Sequence, residues 1–190
     1  MGSTYSRRNF LAGSLGLAVS ACGENPIGRD LMTAFQYATT GLPGPEITRE
    51  LVDAIPYASL AAKIGRGPRS LLVLWDAKAE GLMWLSADNV AIVTRNGRVV
   101  RTAGLPENLS TTQFLDPDPL QAGAKNIAAN REPRRRLIDF EPDGKYGVEI
   151  VSTSRVIGPR QIDITSITFD TILIEERCRA SFLNWSFSNK

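Results

Sequence analysis

Histidine is absent from all 190 residues. Without an imidazole, Ser-His-Asp and Cys-His catalysis, histidine metal ligation and histidine-based pH switching are excluded together. Cysteine occurs only as Cys22 and Cys178, too few to form a zinc site by themselves. A long apolar run is lacking near the start: Phe10–Ala21 is mildly apolar but spans twelve residues, against about twenty for a membrane-crossing helix. A charge surplus is lacking too. Of 22 basic residues, Arg7 and Arg8 stand before Cys22 with no acidic residue beside them, and 22 less these two leaves 20 against 20 acidic. A balanced body has no basic face for nucleic acid. Nothing calls for a metal or a cofactor. What remains is the composition of a globular domain, 43% apolar and 22% charged, long enough for a real core.

The first thirty residues read as targeting and tether. Ser6-Arg7-Arg8-Asn9-Phe10-Leu11 matches the twin-arginine export consensus, with Arg7, Arg8, Phe10 and Leu11 as its signal residues. Val19-Ser20-Ala21-Cys22 fits the bacterial lipobox, in which the Cys22 sulfur receives a diacylglycerol and cleavage leaves Cys22 at the new N-terminus. An ordinary positive n-region and a plain buried thiol are the bland alternatives; the two signals at their proper spacing favour a lipoprotein. Each buried methylene contributes roughly 0.8 kcal/mol, so one acyl chain holds reversibly and two or more anchor stably. Gly23 follows the lipidated cysteine where Asp would mark inner-membrane retention, which points to the outer membrane. The expected organisation is a signal peptide over 1–21, a tether over 22–30 and one β domain over 31–190.

Beyond the tether, Leu31, Phe35 and Ala38 recur at helical spacing, so a short N-terminal helix is predicted before Gly41-Leu42-Pro43-Gly44-Pro45. Ile47–Ile55 is ambiguous between a helical turn and an irregular strand. From Ile55 to Leu105, apolar residues alternate in short runs punctuated by Gly, Pro, Asp and Asn, the pattern of antiparallel strands. Asn96-Gly97 suits a type I′ turn, because both central positions need positive φ; Val90–Arg95 and Arg98–Thr102 should form a tight hairpin. Leu105–Ala129 reads as a long connection with a short helix around Pro119–Ala124. Leu137–Glu141 and Tyr146–Val151 flank a Pro142-Asp143-Gly144 turn, and Ser152–Ile157, Ile162–Thr165 and Ile167–Ile174 continue the alternation toward Cys178. Eight to ten strands and almost no helix result.

The segments IPYASL, GRGPRSLLVL, MWLSADNVAIVTRNGRVVRTAGL and LPENL are collinear over about fifty residues and resemble the YjbF/GfcB family of bacterial lipoproteins. The resemblance implies a periplasm-facing accessory lipoprotein of exopolysaccharide or group 4 capsule production. It also favours a closed or nearly closed antiparallel barrel over a sandwich, since closure removes strand edges. In that family the stretch resembling Cys178–Asn184 is normally followed by an aromatic pair, a Gly turn and a Ser-Gln strand. Phe187-Ser188-Asn189-Lys190 stands here instead, so this member is expected to close its sheet differently or to be shortened.

Candidate contact residues are few. Tyr57, Trp75 and Trp84 could stack on pyranose faces, but within apolar runs core or cross-strand packing is the preferred reading. Arg95, Arg98 and Arg101 flank the Asn96-Gly97 turn as glycan or partner contacts, against a solvated hairpin face as the plainer reading. Arg131-Glu132-Pro133-Arg134-Arg135-Arg136 could face acidic polysaccharide, headgroups or a partner, or form a solvated hairpin entry. Asp88, Asp116, Asp118, Glu141 and Asp143 would serve glycan hydrolysis only if two stood about 5–9.5 Å apart. Cys178 lacks a partner once Cys22 is acylated and should be a buried or half-buried thiol. Three functions follow. The first is a non-catalytic accessory of exopolysaccharide or capsule production, lipid-anchored on the periplasmic side of the outer membrane, with polysaccharide export or assembly proteins and the polysaccharide itself as partners. The second is a periplasmic ligand-binding barrel, which requires a cavity of at least about 300 Å³ lined by apolar and aromatic side chains. The third, more remote, is a carboxylate-dependent glycan-modifying enzyme.

Overall fold

The computed structural model describes Gly44 and residues 46–190. The export signal, the lipobox with Cys22 and the helix expected over 30–39 lie outside the described residues. Pro45–Ala62 and Arg69–Lys190 form one compact unit. A short helix, α1 (Arg49–Asp53), opens it, capped by the Thr48 hydroxyl accepting from the Leu51 N–H at 3.3 Å and braced by an Arg49–Asp53 ion pair one turn apart.

Ten antiparallel strands follow as a meander. The first sheet runs β1 (Ser59–Lys63), β2 (Arg69–Lys78), β3 (Gly81–Ser86), β4 (Ala91–Arg95) and β5 (Arg98–Ala103), each hydrogen-bonded to the next. The β4–β5 turn is the expected one: Asn96 and Gly97 take φ of 52° and 79°, values at which only Gly pays no Cβ penalty. The second sheet comprises β6 (Asn108–Phe114), β7 (Arg134–Glu141), β8 (Lys145–Ile164), β9 (Ile167–Ala180) and β10 (Trp185–Asn189), again in consecutive order. The all-β antiparallel meander with a short helix is thus as expected. Its curvature takes the form of a half-barrel in one sheet, with β6 and β10 as the outer strands of the second ladder.

Three local expectations are corrected. The stretch Leu105–Ala129 is not one long connection: its Thr-rich Asn108–Phe114 pairs with β7, and α2 (Pro119–Ala129) continues past 124, bent at Gly123, whose φ is 78°. Asp118 caps α2 and Pro119 occupies its first turn, where the missing N–H is not needed. The runs Ser152–Ile157 and Ile162–Thr165 fall on one strand, β8, because a bulge between Val156 and Gly158 absorbs the Gly158-Pro159 interruption without ending the β8–β9 ladder, while Ile167–Ile174 is part of the separate strand β9. That ladder turns at Thr165 and Ser166, both at positive φ without a glycine.

The core lies on the inner face of the second sheet. Ile138, Val148, Ile150, Cys178 and Ala180 are buried together, with Leu109, Phe140 and Phe187 packed against them. Their alternation along β7, β8 and β9 is the period-2 pattern of half-buried strands. Beyond Ser152, β8 has only β9 as its ladder partner among the described residues, and the two continue to the Thr165-Ser166 turn as a ribbon. Ile157, Ile162, Ile164, Ile167, Phe169 and Ile172 stay exposed on it.

Candidate functional site: a charged floor under an apolar trough

Four ionised side chains from distant parts of the chain meet in the interior. Arg98 at the start of β5 is in phase with Val100, so its side chain follows that residue inward. Its guanidinium donates to Asp118 through Nη2 at 3.2 Å and Nε at 3.4 Å, and to Glu176 on β9 through Nη1 at 2.6 Å. Arg136 on β7 donates to the second Glu176 oxygen at 3.0 Å, to Ser152 Oγ at 3.2 Å and to Cys178 Sγ at 3.4 Å. Asn189 Nδ2 completes the shell at 2.8 Å from Glu176 Oε2. All four charges are buried, Glu176 to 3% exposure, and two guanidiniums against two carboxylates cancel. Such a group is tolerated because nearly every donor and acceptor is engaged. It also ties the first sheet, through β5, to the second.

Burial works against ionisation of Glu176, but the hydrogen bond from Arg98, the charges of Arg98 and Arg136, and the Asn189 amide outweigh it. They bring the carboxyl from its ordinary 4.5 down to about 2. The folded value lies below the unfolded one, so this contribution to stability is complete above pH 4.5 and is lost as pH falls from 4.5 toward 2, about 3 kcal/mol in all. Urea titrations at pH 6 and pH 3 should show about 2 kcal/mol of that loss in the native protein and a much smaller one in Glu176→Gln. Burial pushes the Cys178 thiol up, aided by the Glu176 charge; it is a buried free thiol, within the expectation of a buried or half-buried one.

Above this floor lies a cavity of about 1010 Å³, to which all five strands of the second sheet contribute. Asn96, Gly97, Arg98 and Val99 of the β4–β5 hairpin and Leu120 of α2 complete the lining. Its walls are mostly aliphatic and aromatic. Trp185 stacks on Phe187 with ring centroids 4.5 Å apart and meets Phe140 edge-on at 6.3 Å. The volume exceeds the roughly 300 Å³ that a ligand-binding barrel requires.

Of the anticipated contact residues only Arg98 and Arg136 line this cavity. Trp84 is half-buried, with Nε1 donating to Thr94 Oγ1 at 2.8 Å. Trp75 is 73% exposed rather than packed: the β2–β3 register shifts between Leu74 and Asp76, and Trp75 is the extra residue turned outward. Tyr57 is likewise exposed. Arg95 and Arg101 both line a smaller groove of about 450 Å³, and the Arg95 guanidinium lies 4.6 Å from the Phe114 ring centre. Arg98 does not share a solvated face; it is the centre of the buried charge group. In the basic cluster Arg136 goes inward, while Arg135 stays exposed and pairs with Asp116 at 3.2 Å. Glu176, Asn189, Trp185, Phe187 and Phe140 were not singled out by sequence reasoning. The available signal was phase: Glu176 keeps step with buried Cys178 and Ala180 on β9, and Arg136 with Ile138 on β7.

Comparison with known proteins supplies the lineage. Residues 30–190 match the family described as group 4 capsule polysaccharide lipoprotein gfcB, YjbF. The chain belongs to this family. Among its relatives, the uncharacterized lipoprotein GfcB of Escherichia coli K12 is 33% identical over 75 residues, 40% of this chain and 35% of that one. The uncharacterized lipoprotein YjbF of the same strain is 30% identical over 104 residues, 55% of this chain and 48% of that one. The matched stretch therefore spans less than half of either relative. The crystal structure of the hypothetical lipoprotein YmcC from Escherichia coli K12 superposes with a TM-score of 0.66 at 20% identity, over 87% of this chain and 80% of that one; at that identity the likeness is one of fold. The YjbF/GfcB family is described by capsule polysaccharide and lipoprotein character, not by a reaction.

Proposed function

We propose that this protein is a lipid-anchored envelope accessory of capsule-type polysaccharide production that works by binding rather than by bond chemistry. One observation carries the binding part. Among the described residues the trough is lined by a single carboxylate, Glu176, and that group is saturated by two guanidiniums and an amide. Glycan hydrolysis needs two carboxyl groups, one of them with a raised proton affinity; Glu176 has the opposite shift. The family description supports the capsule context, and the relatives bear the name lipoprotein.

In this reading residues 1–21 are removed on export, Cys22 carries the acyl chains, and 22–30 tether the β domain to the periplasmic face of the outer membrane. The trough then holds part of a glycan-bearing ligand or of an export component. The test is a chromosomal deletion complemented by wild type, by Cys22→Ser and by Arg7→Lys with Arg8→Lys. Loss of surface polysaccharide with intact cytoplasmic precursor, restored only by the lipidated and exported forms, is the expected result. Full surface polysaccharide in the deletion strain would sink the proposal.

A further inference from the structure

The trough offers two chemistries at different depths. Ile138, Phe140 and Phe187 form an apolar bed continuous with the core, walled by Ile174 of β9 and by Trp185, which remains 40% exposed. Of the five ionisable side chains lining the cavity, Arg98, Arg136 and Glu176 belong to the neutral buried group; the other two, Arg160 and Lys190, are both cations and both exposed. Arg160 has no carboxylate within ion-pair distance among the described residues, and Lys190 reaches only Glu175 at 3.8 Å. The volume suits a ligand much longer than a single sugar ring.

Hydrogen-bond capacity decides between ligands. A bare glycan presents a hydroxyl at nearly every carbon, and each one buried without a partner is costly. The Ile138–Phe140–Phe187 bed itself offers hydrocarbon, and the Asn189 Nδ2 donates to Glu176; Asn96, Thr112, Thr171 and Ser188 are the other uncharged polar side chains on the lining. We infer that the trough binds an amphiphile: a hydrocarbon chain lies on the Ile138–Phe140–Phe187 bed beside Trp185, and an anionic head such as a phosphate meets Arg160 and Lys190. The inference rests on reading the trough as a binding surface and not on the capsule role. A phospholipid and a lipid-linked saccharide phosphate share this chemistry.

The test uses the mature chain with Cys22→Ser, so that no acyl group of its own competes. Trp75→Phe and Trp84→Phe leave Trp185 as the one emitter of the three tryptophans. Decyl, dodecyl and tetradecyl phosphate are titrated below their micelle concentrations, beside dodecyl maltoside, inorganic phosphate and an oligoglucuronate. Saturable blue shifts are expected for the alkyl phosphates, tightening about 2- to 4-fold per added methylene. Dodecyl maltoside should bind about 10-fold more weakly than dodecyl phosphate, and the two chainless anions should leave the emission unchanged. Arg160→Glu with Lys190→Glu should weaken dodecyl phosphate about 10-fold and leave dodecyl maltoside unaffected. Native mass spectrometry of the Cys22→Ser protein with all tryptophans retained counts bound amphiphile independently, should Trp84→Phe disturb the fold. Phosphatidylglycerol and polyprenyl phosphate, compared in the same assay, separate the two sources, and tight binding of either supports the site. Absence of chain-length dependence, indifference to the charge reversals, or binding of the oligoglucuronate as tight as that of the alkyl phosphates overturns it. The polysaccharide phenotype of the deletion strain stands apart from any of these results.

Discussion

Replacing Glu176 by Ala is expected to lower the unfolding free energy by about 3–5 kcal/mol, the cost of stranding buried charge. The substitution removes the acceptor shared by Arg98, Arg136 and Asn189. Arg98 would keep Asp118, but Arg136 would keep only the Ser152 hydroxyl and the Cys178 sulfur. A guanidinium buried beside a thiol and a hydroxyl has lost its counter-ion in a low-dielectric site, and water cannot restore it without opening the core. Glu176→Gln retains one acceptor oxygen and the packing, so its loss should be smaller. Equilibrium urea unfolding followed by circular dichroism measures both. A Glu176→Ala protein within 1 kcal/mol of wild type would show that the charged floor contributes little to holding the sheets together.

The second large effect is placed at Ile150. This side chain is fully buried at 0% exposure, packed with Ile138, Val148, Cys178 and Ala180. Ile150→Ala should cost about 2–5 kcal/mol, the transfer of the lost methyl groups plus the cavity left behind. Ile157 on the same strand is 48% exposed on the ribbon, and Ile157→Ala should change stability by no more than about 0.5 kcal/mol. Chemically identical substitutions seven residues apart thus test where the core ends. Equal effects in the same urea titration would mean that the ribbon is packed after all.

Much of this architecture was legible because strand signals are local. Asn96-Gly97 specifies its own turn, and β2 to β5 carry their alternation openly. The Leu105–Ala129 region misled because β6, Asn-Leu-Ser-Thr-Thr-Gln-Phe, is polar enough to pass for a loop; only pairing with β7 makes it a strand. Gly158-Pro159 resembles a stop, yet a bulge accommodates it. Trp75 looked like core because a register shift is invisible in sequence. The site was less legible than the fold for a different reason. A charged residue in phase with apolar neighbours announces burial, but not which distant partner makes that burial tolerable. Arg98 is paired with a carboxylate 78 positions away, and no local pattern encodes that distance.

That separation bears on how the molecule is made. The charged knot draws on positions 98, 118, 136, 176 and 189, so a growing chain that has produced the first sheet carries Arg98 with neither of its carboxylate partners yet made. Closing such long loops before any contact rewards them is entropically slow. The first sheet is therefore complete in sequence long before the knot can be tied, and nearly the whole polypeptide must be present before the two halves lock.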